Sequence, residues 1–257
     1  LTRVVVFNHA HSSSLIDQSR LKPALIFLEF EHNGIYTADM EFVTCKQTET
    51  GVLHITLNDI TKRNALGIEM FDAIDDALSL VDTQTRCVLL RGEGPVFCAG
   101  FDMKACVDDI SILETYILRL STLLRVLRRI SAPVVVAAHG AVIAGGCALV
   151  TGCDFVVGAK ESKYGYPVHR IGISPAVTIP TLFQKLGNGQ ARSLAISGEI
   201  IDGNEALNIG LLTHLEETNE QVSPAANSLA ESLATKPPIA LQATKRWLNE
   251  LDGSLDD

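Results

Sequence analysis

The sequence lacks the features of several common classes of protein. It has no two cysteines in C-x-x-C spacing, no excess of basic residues, and no uninterrupted apolar run of the roughly 20 residues that a membrane helix needs. Its formal net charge is −9, whereas a phosphate backbone or an anionic membrane surface requires a basic face. The sequence therefore predicts no nucleic-acid partner and no membrane partner.

The cysteines that are present indicate a reducing environment. All six lie inside or beside apolar runs, where cysteine behaves as a small hydrophobic residue. We therefore expect an intracellular, cytoplasmic protein. The six are Cys45, Cys87, Cys98, Cys106, Cys147 and Cys153.

The length and composition favour a single domain. The chain has 257 residues, 47% of them hydrophobic, and no composition shift divides residues 41–251. We expect one domain over residues 40–257, preceded by an N-terminal extension over residues 1–39. Two origins of this extension stay open, upstream translation or an organelle transit segment, and the second would imply an organellar location. His9 and His11 within it indicate an exposed polar segment, and we predict no metal site.

The stretch from Ser131 to Asp154, SAPVVVAAHGAVIAGGCALVTGCD, organises the chain. Val134–Val136 predicts a buried strand, and the apolar segment after Gly145 and Gly146 predicts a buried helix. A tight glycine loop between them leaves backbone N–H groups free, and glycine lets a ligand approach them. Such donors can form an oxyanion hole, while the plainer interpretation is that the glycines let a helix pack against a sheet.

A second motif, PVFCAGFDMK at residues 95–104, follows a strand-like run at residues 87–91. Three further segments are KRNAL at residues 62–66, YGYP at residues 164–167 and SGEIIDGNEALNIGLL at residues 197–212. With HGAVIAGGCAL at residues 139–149, their order and spacing resemble the crotonase superfamily, the enoyl-CoA hydratase/isomerase family, over residues 41–251.

This resemblance implies an α/β fold, a crotonase-like spiral of β-β-α units with a C-terminal helical region. It implies an acyl-CoA thioester as the partner, coenzyme A being part of the substrate with no separate cofactor, and a homotrimer or hexamer. Family members usually continue past the helix predicted over residues 238–251, with a tail that packs over the acyl-CoA site or a neighbouring subunit. The sequence ends at Asp257.

Local patterns predict several elements along the chain. Residues 41–49 and 52–58 alternate as a β-hairpin, and apolar residues recur at helical spacing over residues 67–81 and 110–130. Residues 164–167 are predicted to form a turn. Asp202 is expected to cap a short helix that ends at Gly210.

The resemblance also assigns site residues. It implies that the backbone N–H groups of Phe101 and Gly145 are the two donors of the oxyanion hole, which stabilises a thioester enolate. It places the loop of residues 62–66 at the nucleotide half of coenzyme A, where cationic side chains suit the phosphates. The predicted coenzyme A contacts are Lys62, Arg63, Ala65, Leu66, Ala99 and Lys104.

The sequence departs from the family at the proton-transferring residues. Hydratases of the family use two glutamates, and the matching residues here are Ala148 and Val168. The position that often holds a carboxylate in isomerases of the family is Ala176. His169, one residue past the usual second glutamate, is the candidate acid or base, because histidine titrates near neutral pH. Tyr166, Cys147, Tyr116, Asp102, Asp108 and Asp109 are further titratable residues near the motifs.

Two functional hypotheses follow. The first is an enzyme of the hydratase/isomerase type that stabilises a thioester enolate and uses His169, Tyr166 or an ordered water for proton transfer. The second is a catalytically silent acyl-CoA-binding or assembly subunit. Decarboxylation lies between them, because loss of carbon dioxide generates an enolate without a base.

Overall fold

The computed structural model describes residues 2–7, 25–30, 36–107 and 109–255. Asp108, one of the predicted titratable residues, and His9 and His11 lie outside the described residues. The described chain contains no helix long and apolar enough to cross a membrane. Its helices are α1 (Ile68–Ser79), α2 (Ser111–Arg129), α3 (Gly145–Thr151), α4 (Ile179–Ser197), α5 (Gly203–Asn208), α6 (Asn219–Ala234) and α7 (Pro238–Leu251).

The strands of the described chain form two sheets. They are β1 (Thr2–Phe7), β2 (Leu25–Phe30), β3 (Tyr36–Asp39), β4 (Val43–Gln47), β5 (Val52–Leu57), β6 (Cys87–Gly92), β7 (Val134–Ala138), β8 (Ala141–Ile143), β9 (Phe155–Ala159), β10 (Lys163–Gly165), β11 (Ile200–Asp202) and β12 (His214–Glu216). The large sheet has the order β1-β2-β3-β4-β5-β6-β7-β9-β12, and the small one β11-β10-β8. In the large sheet, pairing is antiparallel from β1 to β5 and parallel from β5 to β12. In the small sheet, β10 pairs antiparallel with β11 and in parallel with β8.

The central strands are buried on both faces, as expected for parallel strands covered by helices. In β6, Val88 and Leu90 belong to a large core that also holds residues of α1, α2 and α3. Cys87 and Leu89 point to the opposite face and pack with Val222 and other residues of α6. This alternation follows from the two-residue period of a strand. Because both faces of these strands are covered, a ligand can meet the backbone only at the ends of β6 and β7 and in the loops after them.

Most of the predicted elements are confirmed. β4 and β5 form the predicted antiparallel hairpin, and α1, α2 and α7 lie where the helical spacing placed them. The Oδ1 atom of Asp202 accepts a hydrogen bond from the N–H of Glu205 at 3.0 Å and caps α5 as predicted. β3 pairs with β4 and so adds to the large sheet. The division of the chain at residue 40 stays a prediction.

Two local predictions were wrong because tertiary pairing decided the conformation. The segment between β7 and α3 is not simply a tight loop, since it contains β8, which pairs in parallel with β10. The predicted turn at residues 164–167 begins instead as part of β10, and a 3-10 helix follows from Pro167 to Ile171. Both strands have only three residues: β8 gains its regular structure from β10, and β10 from both β8 and β11.

Candidate active site

The second motif runs between two other segments and holds them together. The N–H of Leu66 donates to the carbonyl oxygen of Gly100 at 2.8 Å, and the N–H of Asp102 donates to that of Leu66 at 3.1 Å. On its other side, the N–H of Ile143 donates to the carbonyl oxygen of Cys98 at 3.1 Å. Residues far apart in sequence are thus placed side by side through backbone hydrogen bonds, which do not depend on the identity of most side chains.

Close packing of the two glycine-containing loops brings their backbones together. A Cβ atom added to Gly100 would lie 3.5 Å from the nitrogen of Gly145 and 3.1 Å from the carbonyl oxygen of Ile143. Gly100 also has a φ of 97°, which a residue with a side chain rarely adopts. Ala144 adopts a φ of 51° just before α3 begins. Glycine at position 100 is therefore required both by the backbone angle and by the neighbouring loop.

The two predicted donors are free in this arrangement. Among the described residues, the N–H groups of Phe101 and Gly145 have no hydrogen-bond acceptor. Gly145 is the first residue of α3, so its N–H precedes any intrahelical acceptor. Phe101 and Gly145 both line the same cavity, and a Cβ atom at position 145 would lie 3.4 Å from the Phe101 ring. The structure thus brings the two sequence-predicted donors to one site.

The cavity beside these donors has a volume of about 200 Å³ and a largely apolar wall. Its lining comes from the second motif, from α2, from the start of α3 and from the segment that leads into α4. The lining residues are Ala99, Phe101, Met103, Ile117, Leu120, Ile143, Ala144, Gly145, Tyr166, Pro167, Val168, Ile171, Ile173, Ser174, Pro175, Val177 and Thr178. Among them only Tyr166 carries a titratable side chain.

Tyr166 is held as a hydrogen-bond donor. Its hydroxyl is buried and donates to the carbonyl oxygen of Cys147 at 3.0 Å. Burial raises the pKa of Tyr166 well above its ordinary value, so the phenol stays protonated near neutral pH. Burial also raises the pKa of the Cys147 thiol, to about 12, so this side chain is a packed thiol and not a thiolate nucleophile.

Tyr116 lies next to the site but outside the cavity lining. Its ring packs against that of Phe101, with centroids 5.5 Å apart. Burial raises the pKa of Tyr116 to about 12, and the nearby Cys106 and Asp102 add to the effect. Tyr116 therefore supports the residue that carries one predicted donor.

The positions that hold carboxylates in the family are apolar here. Ala148 is fully buried within α3, and Val168 lines the cavity. Ala176 is exposed in the 3-10 helix before α4. His169 is also exposed and does not line the cavity; a Cβ atom at Gly198 would lie 3.2 Å from its Nδ1 atom. A catalytic role of His169 stays a prediction.

The predicted coenzyme A residues belong to the loop of residues 62–66 and to the second motif, which backbone hydrogen bonds join. Lys62 forms an ion pair with Asp102 at 2.9 Å, and this hydrogen bond and charge raise the pKa of Lys62. Arg63 and Lys104 are exposed and have no ion-pair partner among the described residues. The N–H of Ala99 donates to the carbonyl oxygen of Arg63 at 3.1 Å, which fixes this cationic loop against the second motif.

Asn64 holds the loop of residues 62–66 in place, a role that the sequence interpretation missed. Its side chain is fully buried, and its Nδ2 atom lies within 3.1 Å of the carbonyl oxygens of Glu93, Val96 and Phe97. Its Oδ1 atom accepts from the N–H of Asp59 at 2.9 Å. A polar residue in a loop such as KRNAL is typical of a protein surface. Asn64 instead adopts a left-handed backbone, with a φ of 54°, and its side chain points inwards.

A larger cavity of about 620 Å³ lies between the β4–β5 turn and the end of α6. It shares no lining residue with the apolar cavity and contains neither predicted donor. Its wall is polar and includes Arg86 and Lys236. We place the candidate site at the smaller cavity, because of these two cavities in the described chain it is the one where free backbone donors meet an apolar wall. Within the described residues there is no cluster of side chains suited to a metal ion.

Comparisons with known proteins point to one family. Residues 47–252 match the family model described as enoyl-CoA hydratase/isomerase. The chain is 33% identical over 217 residues to a putative enoyl-CoA hydratase from Thermus thermophilus, an alignment that covers 80% of this chain and 84% of the relative. It is 29% identical over 234 residues to 1,2-epoxyphenylacetyl-CoA isomerase from Escherichia coli, covering 84% and 87%. The crystal structure of an enoyl-CoA hydratase/isomerase from Marinobacter aquaeolei matches with a TM-score of 0.76 and 28% identity, covering 84% and 88%.

Proposed function

The chain belongs to the enoyl-CoA hydratase/isomerase family, and we propose that it stabilises the enolate of an acyl-CoA thioester with the backbone N–H groups of Phe101 and Gly145. Family membership confirms the resemblance drawn from the sequence and makes the chain an acyl-CoA thioester-processing member of the crotonase superfamily. The observation that carries the proposal is the pair of unpartnered N–H donors beside one apolar cavity within the described chain.

The chemistry of the thioester explains why two such donors matter. Removing a proton, adding a nucleophile or losing carbon dioxide next to the thioester places negative charge on its carbonyl oxygen. Preorganised N–H donors stabilise that charge in a site with little water, and removal of one such donor costs about 2.7–4 kcal/mol in known cases. Since both donors belong to the main chain, they survive the side-chain changes that separate this chain from its relatives.

Coenzyme A is proposed to lie along the loop of residues 62–66. Arg63 and Lys104 offer positive charge to its phosphates, and Lys62 adds charge beside Asp102. Ala65, Leu66 and Ala99 are proposed to contact coenzyme A between these cations and the donors. We propose no cofactor other than the coenzyme A of the substrate. Because all six cysteines are unpaired and buried, we also propose that the protein works in a reducing compartment.

The cavity wall favours reactions that need no carboxylate. Tyr166 is a donor with a raised pKa, and it is the single titratable group among the lining residues. Decarboxylation fits this wall, because breaking the C–C bond leaves its electron pair on the α-carbon and the thioester, and the enolate forms without a base. Hydration would need an ordered water or His169 to move the proton, and we expect it to be slow.

A second candidate function is binding without turnover. The specific observation in its favour is that Ala148 and Val168 replace both glutamates of the hydratases. A silent subunit would keep the backbone donors and the residues that contact coenzyme A, but it would release its ligand unchanged.

We propose a homotrimer or hexamer as the working assembly. α7 exposes a row of large apolar side chains, with Ile239 80% and Leu251 86% exposed in the single chain. Apolar residues at this density on one helix are typical of a surface that another protein surface covers. Sedimentation of the purified protein at micromolar concentration tests the assembly, and a monomer would contradict it.

Turnover experiments separate the two functions. The purified protein is incubated with enoyl-, 3-hydroxyacyl- and malonyl-type CoA esters, and products are followed by mass spectrometry. Conversion of any ester, with malonyl-type esters expected first, supports the enzyme. Binding of several esters by calorimetry with no conversion supports the silent subunit. Failure of every ester to bind would contradict both.

The oxyanion hole has its own test at position 145. Gly145→Pro removes the N–H, and proline is well tolerated as the first residue of a helix. Gly145→Ala keeps the N–H and adds the same Cβ atom, so it is the matched control. We expect the proline variant to lose about 10²–10³-fold of any turnover relative to the alanine variant. Equal rates in two folded variants would show that this N–H is not a donor.

A further inference from the structure

One hydroxyl group in the cavity wall is buried and unpaired. Thr178 is 3% exposed and lines the cavity, and its Oγ1 atom has no hydrogen-bond partner among the residues that the structure describes. Burying a hydroxyl without a partner is unfavourable, because the group loses its hydrogen bonds to water. A ligand that brings its own polar atom into the cavity removes this penalty.

The helix that follows does not use this hydroxyl. Thr178 precedes α4, a position where threonine often accepts a hydrogen bond from a backbone N–H of the first turn. Its backbone angles, φ −91° and ψ −13°, are helical instead of extended, and its side chain makes no capping bond. Pro180, the second residue of α4, has no N–H to donate. The hydroxyl is therefore left to the cavity.

The cavity wall to which Thr178 belongs is largely apolar. Phe101, Met103 and Leu120 contribute apolar side chains. The Tyr166 hydroxyl lies beside Thr178, and its interaction with the Thr178 side chain lowers the pKa of Tyr166 against the larger, opposite effect of burial. The contact does not reach the geometry of a hydrogen bond, since Thr178 Oγ1 has no such partner among the described residues. Tyr166 donates its own proton to the carbonyl oxygen of Cys147. Ser174 also lines the cavity, but it is exposed, so solvent can satisfy its hydroxyl.

We propose that Thr178 is a specificity-determining residue that selects short acyl groups bearing a hydroxyl or keto oxygen over purely aliphatic ones. This inference rests on the proposed function, because it assumes that the acyl part of a CoA thioester enters this cavity. The cavity volume of about 200 Å³ suits a short acyl group, since pockets for drug-sized ligands are usually about 300–1,000 Å³. A site built around a hydroxyl discriminates against analogues that lack the matching polar atom, because its buried group then stays unpaired.

Matched ester pairs test this selectivity by calorimetry. 3-Hydroxybutyryl-CoA and 3-methylbutyryl-CoA differ by one hydroxyl in place of one methyl group, as do 4-hydroxybutyryl-CoA and pentanoyl-CoA, and the mass of each ester is checked after titration. We expect the wild-type protein to bind the hydroxylated member of at least one pair about fivefold to tenfold more tightly, as one net hydrogen bond allows. Equal or weaker binding of the hydroxylated member in both pairs overturns the proposal.

Three variants identify the responsible group. Thr178→Val keeps the shape and removes the hydroxyl, so it should abolish the preference, whereas Thr178→Ser should retain it. Thr181→Val is the control: its hydroxyl lies outside the cavity lining and is already paired, with the hydroxyl of Thr151 at 2.6 Å and with the backbone carbonyl oxygen of Thr178 at 3.2 Å. A preference that survives in Thr178→Val overturns the proposal.

Thermal unfolding without ligand supplies an independent measurement. Because the Thr178 hydroxyl is unpaired within the described chain, Thr178→Val should melt at the same or a higher temperature than the wild type, while Thr181→Val should melt lower. A comparable loss in Thr178→Val would show that the hydroxyl has a partner in the free protein and would overturn the proposal. If aliphatic esters bind but no preference exists, the proposed function stands and this inference fails; if no ester binds, both fail.

Discussion

Gly146 lies directly against the carbonyl oxygen of Cys98. A Cβ atom at position 146 would overlap this oxygen and would lie 2.9 Å from the Cys98 Cβ atom. Since backbone atoms on both sides are held by hydrogen bonds, neither can move without separating the two loops that carry Phe101 and Gly145. The contact between Gly146 and Cys98 therefore sets how close the two proposed donors can come.

This contact predicts a large effect of one methyl group. Gly146→Ala should destabilise the protein by about 1–3 kcal/mol, as overpacking of a core does, and should weaken acyl-CoA binding in the fraction that folds. The measurements are urea unfolding and calorimetry with acetyl-CoA. Gly189→Ala is the matched control, because a Cβ atom there has nothing within 4 Å, and alanine is the better helix former. Equal unfolding midpoints for the two variants would contradict the prediction.

Restoring the two glutamates should create hydratase activity. Ala148→Glu and Val168→Glu together should raise crotonyl-CoA hydration, since each proton-transferring group typically contributes about 10²–10⁴-fold. Either change alone should do little, because the two carboxylates must share one water. Ala148 is fully buried, so the new acid will also cost stability, and folding is checked by circular dichroism.

The matched control for these glutamates is the double change to glutamine, which has nearly the same size and cannot transfer the proton. Efficient hydration by the unmodified chain would show that glutamates are not needed at these positions. A folded glutamate variant that binds crotonyl-CoA and gains no rate would place the oxyanion hole elsewhere.

The exposed cations Arg63 and Lys104 should control the affinity for coenzyme A. Arg63→Glu/Lys104→Glu should weaken acetyl-CoA binding, more strongly at low salt, because both side chains are exposed and free of ion pairs within the described chain. Lys62→Glu is less suitable, since it would place a second carboxylate beside Asp102. Lys46→Glu/Lys236→Glu changes the net charge equally at exposed positions outside the lining of the apolar cavity and serves as the control. Equal affinities of the two double variants, measured by calorimetry, would move the nucleotide away from residues 62–66.

His54 should make the stability depend on pH. Burial, assisted by the charge of Arg91, lowers the pKa of His54 from 6.5 to about 4 in the folded chain. Between pH 4 and pH 6.5 the unfolded chain binds a proton at His54 that the folded chain does not. The stability that the neutral His54 contributes is therefore fully present above pH 6.5 and is lost as the pH falls towards 4. His54→Leu should therefore lose less stability than the wild type over this range, by about 1 kcal/mol because the side chain is only partly buried. Urea midpoints at several pH values test this, and parallel curves for the two proteins would contradict it.

Much of the fold could be predicted because its signals are local. The alternation in β4 and β5 and the helical spacing in α1 and α2 depend on which face is buried, and the sequence pattern records that face directly. The prediction of Phe101 and Gly145 as donors came from the family resemblance, while the glycine-rich segments after buried strands indicated only that backbone there can approach a ligand.

Other features arise only from contacts between distant residues. β8 and β10 have three residues each and form because residues 141–143 and 163–165 pair with one another, a pairing that no local pattern encodes. Asn64 turns inwards because carbonyl oxygens some 30 residues away need its donors. The same holds for Lys245 of α7, whose side chain is buried and donates to Asp154 at 2.7 Å, a residue 91 positions earlier in the chain.

The sequence by itself determined the family, the main helices and strands, and the replacement of both glutamates by Ala148 and Val168, and it supplied the prediction of the two backbone donors. These features reside in residue identity and short-range periodicity. The tertiary structure alone decided which side chains meet in the cavity, that His169 lies outside its lining, and that the hydroxyl of Thr178 is buried there without a partner in the described chain. The physical reason is that burial and hydrogen-bond satisfaction are properties of neighbours in space, and chains fold so that those neighbours come from segments far apart in sequence.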